Sequence, residues 1–237
     1  TLYDGSSAEN FGLHPNCVNM AAMFNAGDLS VLCNTGNLIV PTDAPQFQDA
    51  LVSLPPRLFS HADQQRQFQS EPSNPFQYGW GGRLAEMLAD YNTDVSVSPL
   101  ISVSGLSSFQ VSRDSLINPY TMSRDGVISL AAFTGDRKAI VEAGMAGVDD
   151  SSHLMAQKYR SVFDSARTAE AIVTTTFQRA NASGVDYDGI FNAAGLSTTR
   201  VARQLKTVAK MIGGRSYMSN RRPVYFVKMS GFDTHQN

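Results

Sequence analysis

The sequence predicts an α/β protein in which a mainly parallel sheet is flanked by helices, and three observations carry that expectation. The run Val224-Tyr225-Phe226-Val227-Lys228-Met229 is β-branched, aromatic and apolar almost throughout, which reads as a strand buried on both faces. Near the start a helix leads directly into a strand, the alternation that a parallel sheet demands. Two helical stripes, over residues 151–182 and 198–212, supply apolar faces to cover such a sheet. At 237 residues the chain has the length for one large domain or two small ones, burying roughly three quarters of its unfolded surface, and with no repeat or low-complexity linker to force two it reads as a single domain spanning 1–237.

Taken in order, residues 1–10 are polar and without periodicity, as in an exposed connection. His14-Pro15-Asn16 opens a helix with Val18, Ala21, Ala22 and Met23 on one side, and Gly27 closes it. A histidine at such a start reads as a structural hydrogen-bond donor. Residues 28–34 read as a buried strand, parallel to and near residues 224–229, with Asn34-Thr35-Gly36-Asn37 at its carboxyl end. Residues 41–56 form a looping excursion with a short helical stretch over 47–51. In Leu58-Phe59-Ser60-His61-Ala62-Asp63, Ser60 has the position of an N-cap and Asp63 that of the N3 acid of a capping box.

Beyond Pro72 and Pro75, the stretch Gly79-Trp80-Gly81-Gly82-Arg83 precedes an apolar face made by Leu84, Met87, Leu88 and Tyr91, so Arg83 begins a helix and Trp80 reads as a packing anchor. Residues 95–103 alternate apolar residues with serine and 109–112 continue a strand-like pattern, as in a hairpin or a sheet edge. Residues 118–136 are irregular and rich in Gly, Ser and Asp, a surface insertion over the rim of the sheet. Ser151 or Asp150 caps the longest helix, whose stripe runs through Met155, Tyr159, Val162, Phe163, Ala166, Ala169, Val173 and Phe177. His153 faces solvent in its first turn. Ser197-Thr198 caps the next helix, with Val201, Leu205, Val208 and Ile212 as its stripe and Gly213-Gly214 as its stop.

Composition narrows the function classes. Hydrophobic content of 42% and charged content of 17% are ordinary, and a net charge of -2 argues against a nucleic-acid or anionic-membrane surface. No apolar run approaches the roughly 20 residues of a membrane span. Cys17 and Cys33 are the only thiols, so the chain is neither a disulfide scaffold nor a Cys-rich zinc module, and both read as free buried thiols.

The chemistry is concentrated past the last strand. Asp233 and His235 are two residues apart, so an extended backbone sends both to one side, at the carboxyl end where open α/β sheets hold ligands. A carboxylate and an imidazole there suit a divalent ion of the zinc, manganese or iron kind, and a turn aspartate beside a surface histidine is the duller account. Ser60 as a cap is worth about 1 kcal/mol and needs no chemistry. The same geometry also places Ser60 beside free backbone N–H groups at the positive end of the helix dipole, where a phosphate or sulfate would be held. His61 is a neighbouring ligand or acid, or a helix-surface residue. Arg83 contacts an anion, or pairs with Glu86 or another acid.

Gly231-Phe232-Asp233-Thr234-His235 after a buried strand resembles the signature of the domain-of-unknown-function 1501 family, secreted bacterial proteins related to the alkaline phosphatase and sulfatase superfamily. Phe11-Gly12-Leu13-His14-Pro15, the apolar strand ending in Gly36, Leu58-Phe59-Ser60-His61-Ala62-Asp63-Gln64-Gln65 and Gly79-Trp80-Gly81-Gly82-Arg83 match it in order, from near residue 11 to residue 235. The resemblance implies an alkaline-phosphatase-like sheet, a periplasmic or secreted setting and a nucleophile at a helix start. Export would also permit a bridge between Cys17 and Cys33. An earlier strand ending in Gly-Gly-x-Asp and a later Asp-His pair, both thought to supply metal ligands in the family, are not in this sequence. The chain therefore reads as an internal fragment lacking both flanks.

Two functions follow as expectations. In the first, the parent is an exported metal-dependent hydrolase of phosphate or sulfate esters. Its ligands include Asp233 and His235, its nucleophile is Ser60, and His61 and Arg83 hold a small anionic ester. In the second, the protein is a non-catalytic cell-envelope or binding protein that keeps the phosphatase-like fold. The 237 residues by themselves are expected to bind zinc or manganese poorly and to be inactive.

Overall fold

The computed structural model describes residues 12–32, 35–71, 74–92, 94, 96–114, 117–128, 133–196, 198–218 and 220–231. They fall into two compact units, residues 1–37 and 38–237. Among the described residues the first holds one helix, α1 (Val18–Asn25), which the sequence places correctly. Gly27 at φ +83° ends it: its N–H bonds Phe24 O at 3.0 Å and the Asp28 N–H bonds Met23 O at 2.9 Å, the paired closure that a left-handed glycine permits. The strand expected at 28–34 is not formed over its described part, 28–32. Val31 and Leu32 are exposed, and an apolar run without a pairing neighbour has no ladder to join. Cys17, at the start of α1, is free and only half-buried, and Cys33 lies outside the described residues.

The second unit is mixed α/β with a small parallel sheet flanked by helices. Its strands are β3 (Leu100–Ser102), β4 (Tyr120–Thr121) and β5 (Val224–Phe226), in the order β4-β3-β5 with both pairings parallel. Ahead of them come α2 (Ala44–Gln48), α3 (His61–Gln69), an antiparallel hairpin of β1 (Ser70–Glu71) and β2 (Asn74–Gly79), and α4 (Trp80–Met87). Between β4 and β5 come α5 (Gly135–Ala146), α6 (Leu154–Asn181), α7 (Tyr187–Ala193) and α8 (Arg200–Gly213). None of the helices among the described residues is long and apolar enough to cross a membrane.

Four expectations about the sheet are corrected. The 95–103 segment is not an edge: β3 is the central strand, fully buried, because Leu100 and Ile101 point to opposite faces and each meets a helix layer. Leu100 packs with Ala85 of α4, Ile117 and Val224, while Ile101 joins Val97, Val103, Met122, Ala169, Val173 and Met211 on the α6 and α8 side. Residues 109–112 form no strand; Ser108–Gln110 is a 3-10 turn. The supposed surface insertion contains β4 and the buried Met122, so part of it is core. Likewise β5 ends at Phe226 rather than Met229 and is half-buried, since its ladder partner, β3, is itself only three residues long.

The two long helices form as expected but present different faces. The first half of α6 leaves Met155, Tyr159 and Val162 exposed, and burial begins at Ala169. Its cap is His153, whose Nδ1 accepts the Met155 N–H at 3.2 Å, because Ser151 and Ser152 are engaged by the Asp149 carboxylate in the turn before it. On α8 the buried positions are Ala202, Gln204, Thr207 and Met211, while Leu205 and Ile212 are exposed. The face is rotated because two polar side chains have fixed partners: the Thr207 hydroxyl donates to Arg124 O at 2.6 Å, and Gln204 binds the backbone of Lys228.

Asp188 of α7 ties to α8 through Lys206 at 2.7 Å and Lys210 at 3.1 Å. These two bonds hold its carboxyl below the usual aspartate range, against a smaller opposing effect of burial. A depressed carboxyl adds stability above its unfolded value, about 4, and loses it as pH falls through the lower folded value. Urea melts at pH 6 and pH 3 should therefore show a smaller acid loss for Asp188→Asn than for the parent chain. The pair is exposed, so the difference is modest.

Candidate functional site

Ser60 stands at the start of α3 with extended backbone, φ -84° and ψ 119°, and its Oγ accepts the Asp63 N–H at 3.4 Å. The capping box is only half made. Arg57 sits at φ +55°, and that turn aims its carbonyl at the Ser60 N–H, 2.9 Å away, taking the donor that Asp63 would have used. The buried Asp63 carboxylate instead faces Arg57 at 3.7 Å and Arg66 at 4.0 Å. Gln64 and Gln67 donate back to Leu58 O and Pro56 O, fastening the loop that carries Ser60. His61, the first residue of α3, is exposed.

Arg83 is exposed and is the fourth residue of α4 rather than its first. Gly79 is the cap, and the helix starts early because Gly81 and Gly82 let residues 107–112 cross its first turn. A Cβ on Gly79 would lie 2.1 Å from Ser108 O, one on Gly81 2.2 Å from the Phe109 ring, and one on Gly82 2.3 Å from Val111 O. Trp80 meets Phe109 edge-on at 4.4 Å and its Nε1 donates to Phe68 O, so it is an anchor. Glu86 does not pair with Arg83. Burial pushes its carboxyl up, but bonds from the Ser112 hydroxyl at 2.7 Å and from the backbone at Arg113 and Asp114 outweigh it, so the net direction is downward.

These elements share one end of the sheet. Phe109 stacks on Phe226 at 5.1 Å, which places the start of α4 at the carboxyl end of β5. Gln204 donates to Lys228 O at 3.2 Å and accepts the Lys228 N–H at 2.8 Å, and Lys228 Nζ reaches Gln65 of α3 at 2.8 Å. Asp233 and His235 lie outside the described residues. No group of three or more His, Cys, Asp or Glu side chains able to hold a metal occurs among the described residues.

A second polar group, at the amino end of β5, escapes a reading by motif. Arg215, Arg221 and Arg222 line a cleft of about 1190 Å³ with Asp90, Asn220 and Tyr225. Two buried asparagines fasten the turn that carries it: Asn92 accepts the Arg222 N–H at 3.0 Å and donates to Arg222 O at 3.1 Å, while Asn220 donates to Val97 O at 2.8 Å. The available signal was the Asn220-Arg221-Arg222-Pro223 turn after a glycine stop. Compared with protein-family models, curated proteins and solved structures, the chain matches none of them.

Proposed function

We propose that the intact protein is a metal-dependent hydrolase of small phosphate or sulfate esters, exported to the periplasm or medium, with Ser60 as nucleophile and His61 and Arg83 contacting the ester. What supports this reading is the convergence of α3, the start of α4 and the segment after β5 at the carboxyl end of one parallel sheet, the end where such sheets hold ligands. The exposed Arg83 makes no ion pair among the described residues, which leaves its guanidinium free for an oxyanion. A zinc- or manganese-type ion on Asp233 and His235 would supply charge stabilisation, with further ligands from a longer protein as the resemblance implies.

A non-catalytic binding protein is the second reading, favoured by one observation. The Ser60 Oγ already accepts the Asp63 N–H, and the Asp63 carboxylate faces arginines, not the hydroxyl. Ser60→Asn separates the two, because asparagine caps a helix about as well as serine but offers no hydroxyl. In a chain carrying both flanks, loss of zinc- or manganese-dependent aryl phosphate and aryl sulfate turnover with an unchanged melting temperature supports the nucleophile. Turnover retained in Ser60→Asn rules it out, and absence of turnover in the metal-loaded parent favours the binding protein. Residues 1–237 titrated with either metal should show no tight stoichiometric binding.

A further inference from the structure

The last turn of α8 runs through Gly214 into the 3-10 turn Arg215–Tyr217, and the chain enters β5 through Asn220, Arg221 and Arg222. This route gathers three guanidinium groups at one cleft, against the single carboxylate of Asp90. None of the three makes a side-chain hydrogen bond or ion pair among the described residues, although two of them are consecutive in sequence. Three like charges held together against one carboxylate repel one another, and an anion lowers that cost.

We infer that this cleft binds a small molecule carrying a phosphate or sulfate group and at least one hydroxyl. The oxyanion follows from the arginines, whose planar forks match tetrahedral oxyanions. The hydroxyl follows from Asn220. It is 2% exposed, its Nδ2 is committed to Val97 O, and its Oδ1 is buried without a partner, an atom that can only accept. The Tyr225 hydroxyl, also buried without a partner, is a donor at neutral pH, because burial raises its proton affinity more than the nearby Arg215 charge lowers it. Buried polar atoms are nearly always satisfied, so two orphans lining one cationic cleft point to a ligand with complementary groups. The cleft is also larger than one inorganic oxyanion fills.

The site is at the opposite end of β5 from Ser60 and Arg83, so it stands or falls independently of the hydrolase reading. Calorimetric titration of the chain with glucose 6-phosphate, glucose 6-sulfate, phenyl phosphate and inorganic phosphate tests it. One of the two sugar esters should bind saturably, with the stronger identifying the oxyanion, and phenyl phosphate and inorganic phosphate should bind more weakly. Arg221→Gln and Arg222→Gln should each weaken that binding by about tenfold. Both side chains are exposed, so the fold survives the changes, and circular dichroism checks this. Tyr225→Phe should weaken binding by a smaller factor. Absence of saturable binding for all four probes, or parent-like binding in both arginine variants, overturns the proposal. Equal affinity for glucose 6-phosphate and phenyl phosphate overturns the hydroxyl requirement.

Discussion

Gly82→Ala should lower the stability of the folded chain by about 1–3 kcal/mol, although alanine is the better helix former by nearly 1 kcal/mol. The sign reverses because the new Cβ would sit 2.3 Å from Val111 O and 2.6 Å from the carbonyl carbon. Those atoms are backbone, and they are fixed from both sides: Gly79 donates to Val111 O at 2.9 Å, and Glu86 binds Ser112 and the Arg113 N–H. The crossing segment can make room only by breaking one of these attachments. Gly144→Ala on α5 is the matched control, since a Cβ there meets nothing within 4 Å. It should stabilise the chain by up to about 1 kcal/mol. Chemical denaturation of both variants decides the matter; a stabilised Gly82→Ala would mean that residues 107–112 do not cross α4 as described.

Gln204→Leu should cost about 1–3 kcal/mol, mostly by stranding the two backbone groups of Lys228. Leucine has nearly the same volume and strengthens the apolar face of α8, so a reading by hydropathy expects stabilisation. The side-chain amide, however, supplies both a donor and an acceptor to a single residue just past the end of β5. Without it the segment that carries Lys228 to Gln65 loses its tie to α8. Hydrogen exchange at the Lys228 amide is the direct readout, and unchanged protection there would refute the role assigned to Gln204.

These two cases also mark what the sequence makes legible. The strand at 224–226 and the helices α6 and α8 are readable because β-branched runs and long 3.6-residue periods are strong signals. The centre of the sheet is not, since β3 is three residues long and includes Ser102, a polar residue that is fully buried. The inner face of α8 is hidden for the same reason: Gln204 and Thr207 are buried for the sake of partners 24 and 83 residues away. At the site, the capping position of Ser60 is plain from its spacing, whereas the diversion of its N–H to Arg57 depends on a left-handed arginine that no pattern announces. The need for glycine at 79, 81 and 82 is not legible either, because the segment that fills the space they leave comes from residues 107–112 of the same chain. The arginine cleft is assembled from a helix stop and a turn, and the Asn92 bridge to Arg222 ties it to the segment that carries Asp90.

Those bridges say something about the order in which the molecule is built. The bonds from Asn92 to Arg222 and from Asn220 to Val97 close loops of 130 and 123 residues, more than half the chain. The entropy of closing a loop grows only slowly with its length, so the bridges are not costly at equilibrium. Kinetically they are remote pairings, which slow a folding reaction. While the chain is being synthesised, Leu100, Ile117 and Ala85 have no Val224 against them until β5 emerges, and the β5 edge of β3 stays unpaired throughout the making of α5 to α8. The hazard for this protein is thus a temporal one: its central strand waits longest for its last neighbour.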